Sequence, residues 1–128
     1  MSRDLIARAV EARDKALAPY SGFKVGAALE VKDGRVFTGC NIENVSYGLS
    51  ICAERVALWK ALSEGAKDFA RMAIVTEAET LTSPCGACRQ LLWEYCGDSP
   101  IHLHSLKGLE EEHQLAELFP FPFDNRSL

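Results

Sequence analysis

The feature that most limits how this chain can fold is a pair of short segments, Cys52-Ala53-Glu54 and Pro84-Cys85-Gly86-Ala87-Cys88. Cys85 and Cys88 stand at i and i+3, so on a helix they share one face and can grip one ion. Pro84 suits the first helical position, where its missing N–H costs nothing. Both sulfurs then fall beside the positive end of the helix dipole, which favours thiolate over thiol. Cys52 can supply a third thiolate, and nothing nearby clearly offers a fourth. Three protein ligands and one vacancy form the pattern of a catalytic zinc, since structural zinc sites close with four.

Glu54 adds a constraint. Positions i and i+2 of a regular helix point nearly opposite ways, so Cys52 must sit at the very start of its helix with Glu54 just inside. Residues 52–62 support this, being a strong helix former that ends at Gly65. A carboxylate beside an activated water can take its proton and return it to a leaving group. Three thiolates on Zn2+ leave a net negative charge that weakens acidification of bound water. Two helix N-termini and the neighbouring Arg55 offset that excess. On the residues alone, a redox C-x-x-C pair and half of a structural zinc knuckle remain open beside the catalytic zinc. Cys52 with Glu54 weighs toward the catalytic reading.

Composition excludes several classes. A chain of 128 residues reads as one domain, residues 1–128, and its 48% hydrophobic share is that of a globular protein. Fourteen basic against eighteen acidic residues give net −4, without the basic surplus or stripe of a nucleic-acid binder. No apolar run reaches membrane-span length, and the first seventeen residues are too charged for a signal peptide. Five cysteines, Cys40, Cys52, Cys85, Cys88 and Cys96, without an export signal point to a reducing cytoplasm and metal use. Cys40 and Cys96 read as buried small hydrophobes.

Hydrophobic periodicity predicts an amphipathic helix from Ser2 to Leu17, with Leu5, Ile6, Ala9, Val10, Ala16 and Leu17 inward and Pro19 as its stop. Lys24 to Val31 and Arg35 to Cys40 flank Asp33-Gly34, the strongest short hairpin signal. Arg71 to Thr76 is apolar enough for a central strand. Cys85 to about Tyr95 is the second cysteine-bearing helix, stopped by Gly97, and Ile101 to Ser105 alternates as a strand. Glu110 to His113 suggests an edge strand and Leu115 to Leu118 a short helix. The order implies an α/β fold with a sheet covered by helices on both faces. His102 and His104 share one strand face and read as solvated or satisfied, and Glu110-Glu111-Glu112 as a solvated edge. Asn41 and Glu43, two apart at a strand end, point the same way and could fork around a sugar hydroxyl; on the residues alone, turn chemistry for Asn41 and a surface charge for Glu43 is the simpler reading.

Cys52-Ala53-Glu54 and Pro84 to Gln90, with Tyr20 to Leu29 and Gly39 to Asn44, resemble the zinc-dependent cytidine deaminases of the short, homotetrameric kind. The resemblance runs from about Pro19 to the C-terminus. It implies a three-layer α-β-α sandwich around a mixed sheet of about five strands. It implies one Zn2+ per chain on Cys52, Cys85 and Cys88, with Glu54 as the acid/base group and Arg55 tuning the thiolates. The implied reaction is hydrolysis of free cytidine and deoxycytidine to uridine and deoxyuridine with release of ammonia, a step of pyrimidine salvage. Asn41 and Glu43 then hold the ribose, Phe23 lies against the pyrimidine, and the Ala53 N–H and a carbonyl near Ser83 read the base edge. Tyr47 and Phe123 match aromatics that relatives lend to a neighbouring subunit's pocket, which implies a homotetramer with shared sites. Rival readings are a blasticidin-S-type deaminase sharing both metal motifs, a polynucleotide-editing deaminase, and a non-catalytic zinc module.

Overall fold

The computed structural model describes residues 3–128. Five strands form one sheet in the order β2-β1-β3-β4-β5. They are β1 (Gly26–Val31), β2 (Val36–Cys40), β3 (Phe69–Thr76), β4 (Pro100–Ser105) and β5 (Glu110–Gln114). All neighbours are antiparallel except β3 and β4. That parallel pair needs a crossover, supplied by helix α3 (Gly86–Cys96). Helix α1 (Arg3–Arg13) precedes β1, α2 (Ala53–Ser63) links β2 to β3, and the single turn α4 (Leu115–Leu118) follows β5. The sequence-predicted sandwich and its mixed five-stranded sheet are therefore present.

Alternation along the strands divides the core between two faces. Ala27, Leu29, Met72, Ile74, Ile101 and Leu103 pack with Ala57, Leu58, Ala61 and Leu92 of α2 and α3. Ala28, Ala73 and Val75 meet Leu5, Ile6 and Ala9 of α1 on the other face. The central strands bury both sides, which is why β1 and β3 read as near-continuous apolar runs. Two glycines let the helices close onto the sheet. A Cβ on Gly26 would lie 2.0 Å from the Ala9 carbonyl oxygen, and one on Gly39 would lie 2.4 Å from that of Ala53. Gly39 thus sets how closely the start of α2 approaches β2, and with it the position of Cys52.

The first helix departs from the periodic pattern. It ends at Arg13, six residues before Pro19, and Leu17 is 59% exposed instead of core. Ser2 lies outside the described residues. Beyond Arg13 the backbone finds other partners: the Leu17 N–H donates to the Asn41 carbonyl at 3.0 Å, and the Leu17 carbonyl accepts from Glu43 N–H at 2.8 Å. Strand-like pairing across the sequence wins over one more helical turn there. The Asp33-Gly34 turn forms where expected, with Gly34 at φ 98° and Asp33 Oδ1 accepting from the Arg35 N–H at 3.0 Å. Cys40 and Cys96 are half-buried instead of buried. Among the described residues, no helix is long and apolar enough to cross a membrane.

Candidate active site

The starts of α2 and α3 converge at one end of the sheet. Cys52 is the capping residue of α2 (φ −75°, ψ 151°) and Cys85 that of α3 (φ −64°, ψ 166°). Each is still extended while its carbonyl already accepts the first helical bonds, from Val56 N–H at 3.1 Å and Arg89 N–H at 2.9 Å. Cys88, fully buried, follows in the first turn of α3. Pro84 does not open the helix; it precedes the capping residue, and its carbonyl accepts from Arg89 Nε at 2.7 Å.

The three sulfurs lie within 4.8 Å of one another, and Cys52 Sγ is 3.8 Å from Cys85 Sγ. Four-coordinate zinc with Zn–S bonds of about 2.3 Å holds its sulfurs roughly 3.8 Å apart, whereas a disulfide needs about 2 Å. The spacing and the all-sulfur donor set fit zinc. All five cysteines are free thiols.

Electrostatics separate the groups around this centre. The hydrogen bond from Cys88 pulls the Cys52 thiol down to about 5, against the opposing effect of burial and with help from Cys85 and Arg55. The same hydrogen bond, together with burial, pushes the Cys88 thiol up. Arg55 Nη2 donates to Cys52 Sγ at 3.8 Å, and its guanidinium lies over the Trp59 ring at 5.9 Å. Glu54, in the first turn of α2, is 6% exposed. Burial, reinforced by the Cys52 charge, pushes its carboxyl up to about 7, while its own backbone N–H and Arg55 pull the other way. A carboxyl titrating near neutrality can both hold and release a proton at working pH.

Beside the sulfurs opens a cleft of about 280 Å³, lined by Phe23, Asn41, Glu43, Cys52, Ala53, Glu54 and Cys85, with Ile74, Thr82 and Ser83. That is the small end of ligand pockets, which run from roughly 300 Å³ upward. The residues expected to hold a sugar are there, but much of their hydrogen-bonding capacity is already engaged. Glu43 accepts from the Tyr20 N–H at 2.9 Å, the Ser21 N–H at 3.0 Å, and the Ser21 hydroxyl. These bonds, the Ser21 hydroxyl foremost, lower its pKa and keep it ionised. Asn41 Oδ1 accepts from Val25 N–H at 2.8 Å, and its Nδ2 donates to the Phe23 carbonyl at 2.7 Å. Both side chains therefore fasten the 20–25 loop, which sets Phe23 at the rim, and each keeps spare capacity for a ligand.

The other two aromatics stand apart from this cleft. Tyr47, 72% exposed, lines an adjoining hollow of about 330 Å³ with Tyr20, Ser21, Glu43 and Ser50. Phe123, 63% exposed, enters neither hollow of its own chain. Its carbonyl accepts from Gln90 Nε2 at 2.8 Å, and Asp124 accepts from Trp93 Nε1 at 3.2 Å, so α3 holds the tail in place. Sequence reasoning missed Ser21 and Arg89. Arg89 donates to Pro84 O, to Ser83 Oγ at 2.7 Å and to Leu118 O at 2.7 Å, tying the cysteine loop to α4. Its place four residues after Cys85 was the available signal, because i+4 returns a side chain to the helix start.

Comparison with known proteins agrees with this geometry. Residues 1–101 match the family model described as the cytidine and deoxycytidylate deaminase zinc-binding region. A cytidine deaminase from Sporosarcina psychrophila is 48% identical over 97% of this chain and 92% of its own. The crystal structure of a cytidine deaminase from Burkholderia pseudomallei superposes with a TM-score of 0.92 at 46% identity, covering 96% of this chain and all of that one. A blasticidin-S deaminase from Bacillus cereus is more distant, at 31% identity over 77% of this chain and 76% of its own.

Proposed function

The chain belongs to the family of the cytidine and deoxycytidylate deaminase zinc-binding region, and from that premise we propose that it converts free cytidine and deoxycytidine to uridine and deoxyuridine. One water is consumed and one ammonia released per turnover. The observation that carries the reading is the convergence of three cysteine sulfurs on a buried carboxyl, Glu54, poised near neutrality.

Cys52, Cys85 and Cys88 would hold the zinc. When bound, the metal supplies a Lewis acid that brings the pKa of a water toward about 7. Glu54 takes the two protons of the attacking water in turn, passing the first to N3 of the ring and the second to the departing amine. The ring carbon C4 becomes tetrahedral on the way, so the cleft must favour that hydrated ring over flat cytosine. Ala53 N–H and the backbone near Ser83, both at the cleft wall, read the pyrimidine edge. Phe23 lies against the ring, while Asn41 and Glu43 take the ribose hydroxyls. Arg55, donating to Cys52, drains charge from the thiolates.

Phe123 and Tyr47 complete the pocket of a neighbouring copy in a homotetramer. Their exposure supports this, as does that of Val45, Leu49 and Phe121, since so many large apolar side chains mark an interaction surface. Residues 1–128 act as one domain. Five free thiols fit a reducing cytoplasm, where the reaction would serve pyrimidine salvage.

The greater distance of the blasticidin-S deaminase favours the nucleoside over that substrate. The test is a spectrophotometric assay with cytidine, deoxycytidine, CMP and blasticidin S on zinc-replete protein. Both nucleosides should react, with CMP much slower, because a chain of net charge −4 is a poor electrostatic host for the added phosphate. Turnover of blasticidin S alone would reject the proposal.

A further inference from the structure

On the α1 side of the sheet, away from the cysteine-bearing α2 and α3, His102 and His104 of β4 stand directly opposite Glu112 and Glu110 of β5. One ring nitrogen of each histidine and one Glu110 carboxylate oxygen lie within 4.8 Å of one another. The expectation that His102 is solvated or satisfied fails: it is 4% exposed, and its Nε2 has no hydrogen-bond partner. A buried nitrogen left in that state carries its desolvation penalty uncompensated. Glu110 is likewise no free edge residue. Arg3 donates to both of its oxygens, and His104 Nδ1 lies 2.8 Å from Oε1.

We propose that His102, His104 and Glu110 form a second metal site, separate from the cysteine centre, for a divalent ion of borderline softness such as Zn2+ or Ni2+. Two imidazoles and one carboxylate are a donor set that suits such ions. The charged groups bearing on His102 are Glu110, His104, Glu112 and Arg3, and Glu112 adds a further negative charge. Arg3 is the competitor: its guanidinium occupies the carboxylate that the ion needs, so the metal enters by taking Glu110 from Arg3. Once there, the ion ties edge strand β5 to β4.

The experiment is equilibrium dialysis of the zinc-loaded protein against Zn2+ or Ni2+, with bound metal counted by atomic emission. The wild type should take up one further equivalent per chain. His102→Gln and His104→Asn should lose it while keeping the cysteine-bound zinc and deaminase turnover. Arg3→Gln should bind the added ion roughly tenfold or more tightly, because a competing positive charge is gone. No further uptake at millimolar metal would overturn the proposal, as would uptake unchanged in His102→Gln. Should the histidine variants fail to fold, Arg3→Gln decides, and unaltered affinity there rejects the site.

Discussion

At the metal end of the cleft every reactive group sits on a helix start. Cys52 and Cys85 cap α2 and α3, and Cys88 and Glu54 follow within the first turn. At the proposed sugar end the groups sit on loops and are held by hydrogen bonds to a neighbouring loop, as Glu43 is by Tyr20 and Ser21 and Asn41 by Phe23 and Val25. At the first end Cys88 and Glu54 are buried while Cys52 and Cys85 open onto the cleft, and the second shades into exposed aromatics that its own chain leaves uncovered. Helix starts suit chemistry because they hold side chains in fixed geometry, and a misplaced proton donor costs rate. Loops with spare donors suit recognition, where partial adjustment is tolerated and a second copy can contribute. Variants at the two ends should therefore fail differently, the metal end in turnover and the sugar end in binding.

The largest expected effect comes from Cys85→Ala or Cys88→Ala, which should lose zinc and fall to background activity, since two thiolates hold the ion poorly. Metal analysis beside the assay checks this; full activity in metal-free protein would dissolve the contrast between the ends. Next, Glu54→Gln should keep its zinc and lose kcat by roughly 10²–10⁴-fold, the usual range for a general acid/base group. Near-normal turnover in that variant would move the proton shuttle elsewhere.

Glu43→Ala belongs to the other end. Losing a charged hydrogen bond of about 1.5–3 kcal/mol should raise KM roughly 10- to 150-fold, with zinc retained and kcat little changed. A fall in kcat of that size with KM unmoved would erase the division of labour. Phe123→Ala should be milder, a rise in KM of about 2- to 10-fold, in line with one aromatic contact. Light scattering on the same sample reads assembly, and a fully active monomer would reject the shared pocket.

The smallest effect is one of pH and lies outside the cleft. The hydrogen bond from Arg3, foremost, draws the folded Glu110 carboxyl from its ordinary 4.5 down to about 2. A depressed carboxyl contributes stability above its unfolded pKa and loses it as pH falls through the folded one. That contribution should fade between about pH 4.5 and 2, and Arg3→Gln should flatten the slope, as read from urea midpoints.

The metal end was the more legible in sequence because helix starts obey local rules. The i, i+3 spacing of Cys85 and Cys88, and the need for Cys52 to precede Glu54 at a helix start, depend on a few adjacent residues and emerged intact. The Asp33-Gly34 hairpin and the α4 turn, Leu115–Leu118, were readable for the same reason. Leu17 was misread because its fate depends on Asn41 and Glu43, more than twenty residues away. The engagement of Glu43 by Ser21 and the burial of His102 are likewise tertiary facts with no local pattern. Pro84 shows how a two-residue shift at a cap escapes pattern reading, since helix boundaries vary by about one or two residues at each end.

The division between the two ends is tested most directly by calorimetric titration of cytidine into zinc-loaded Glu54→Gln. If chemistry and recognition are carried by different groups, the inert variant should bind cytidine with a Kd within about threefold of the wild-type KM. Binding lost in proportion to turnover would contradict that, and would make Glu54 as much a recognition group as Glu43.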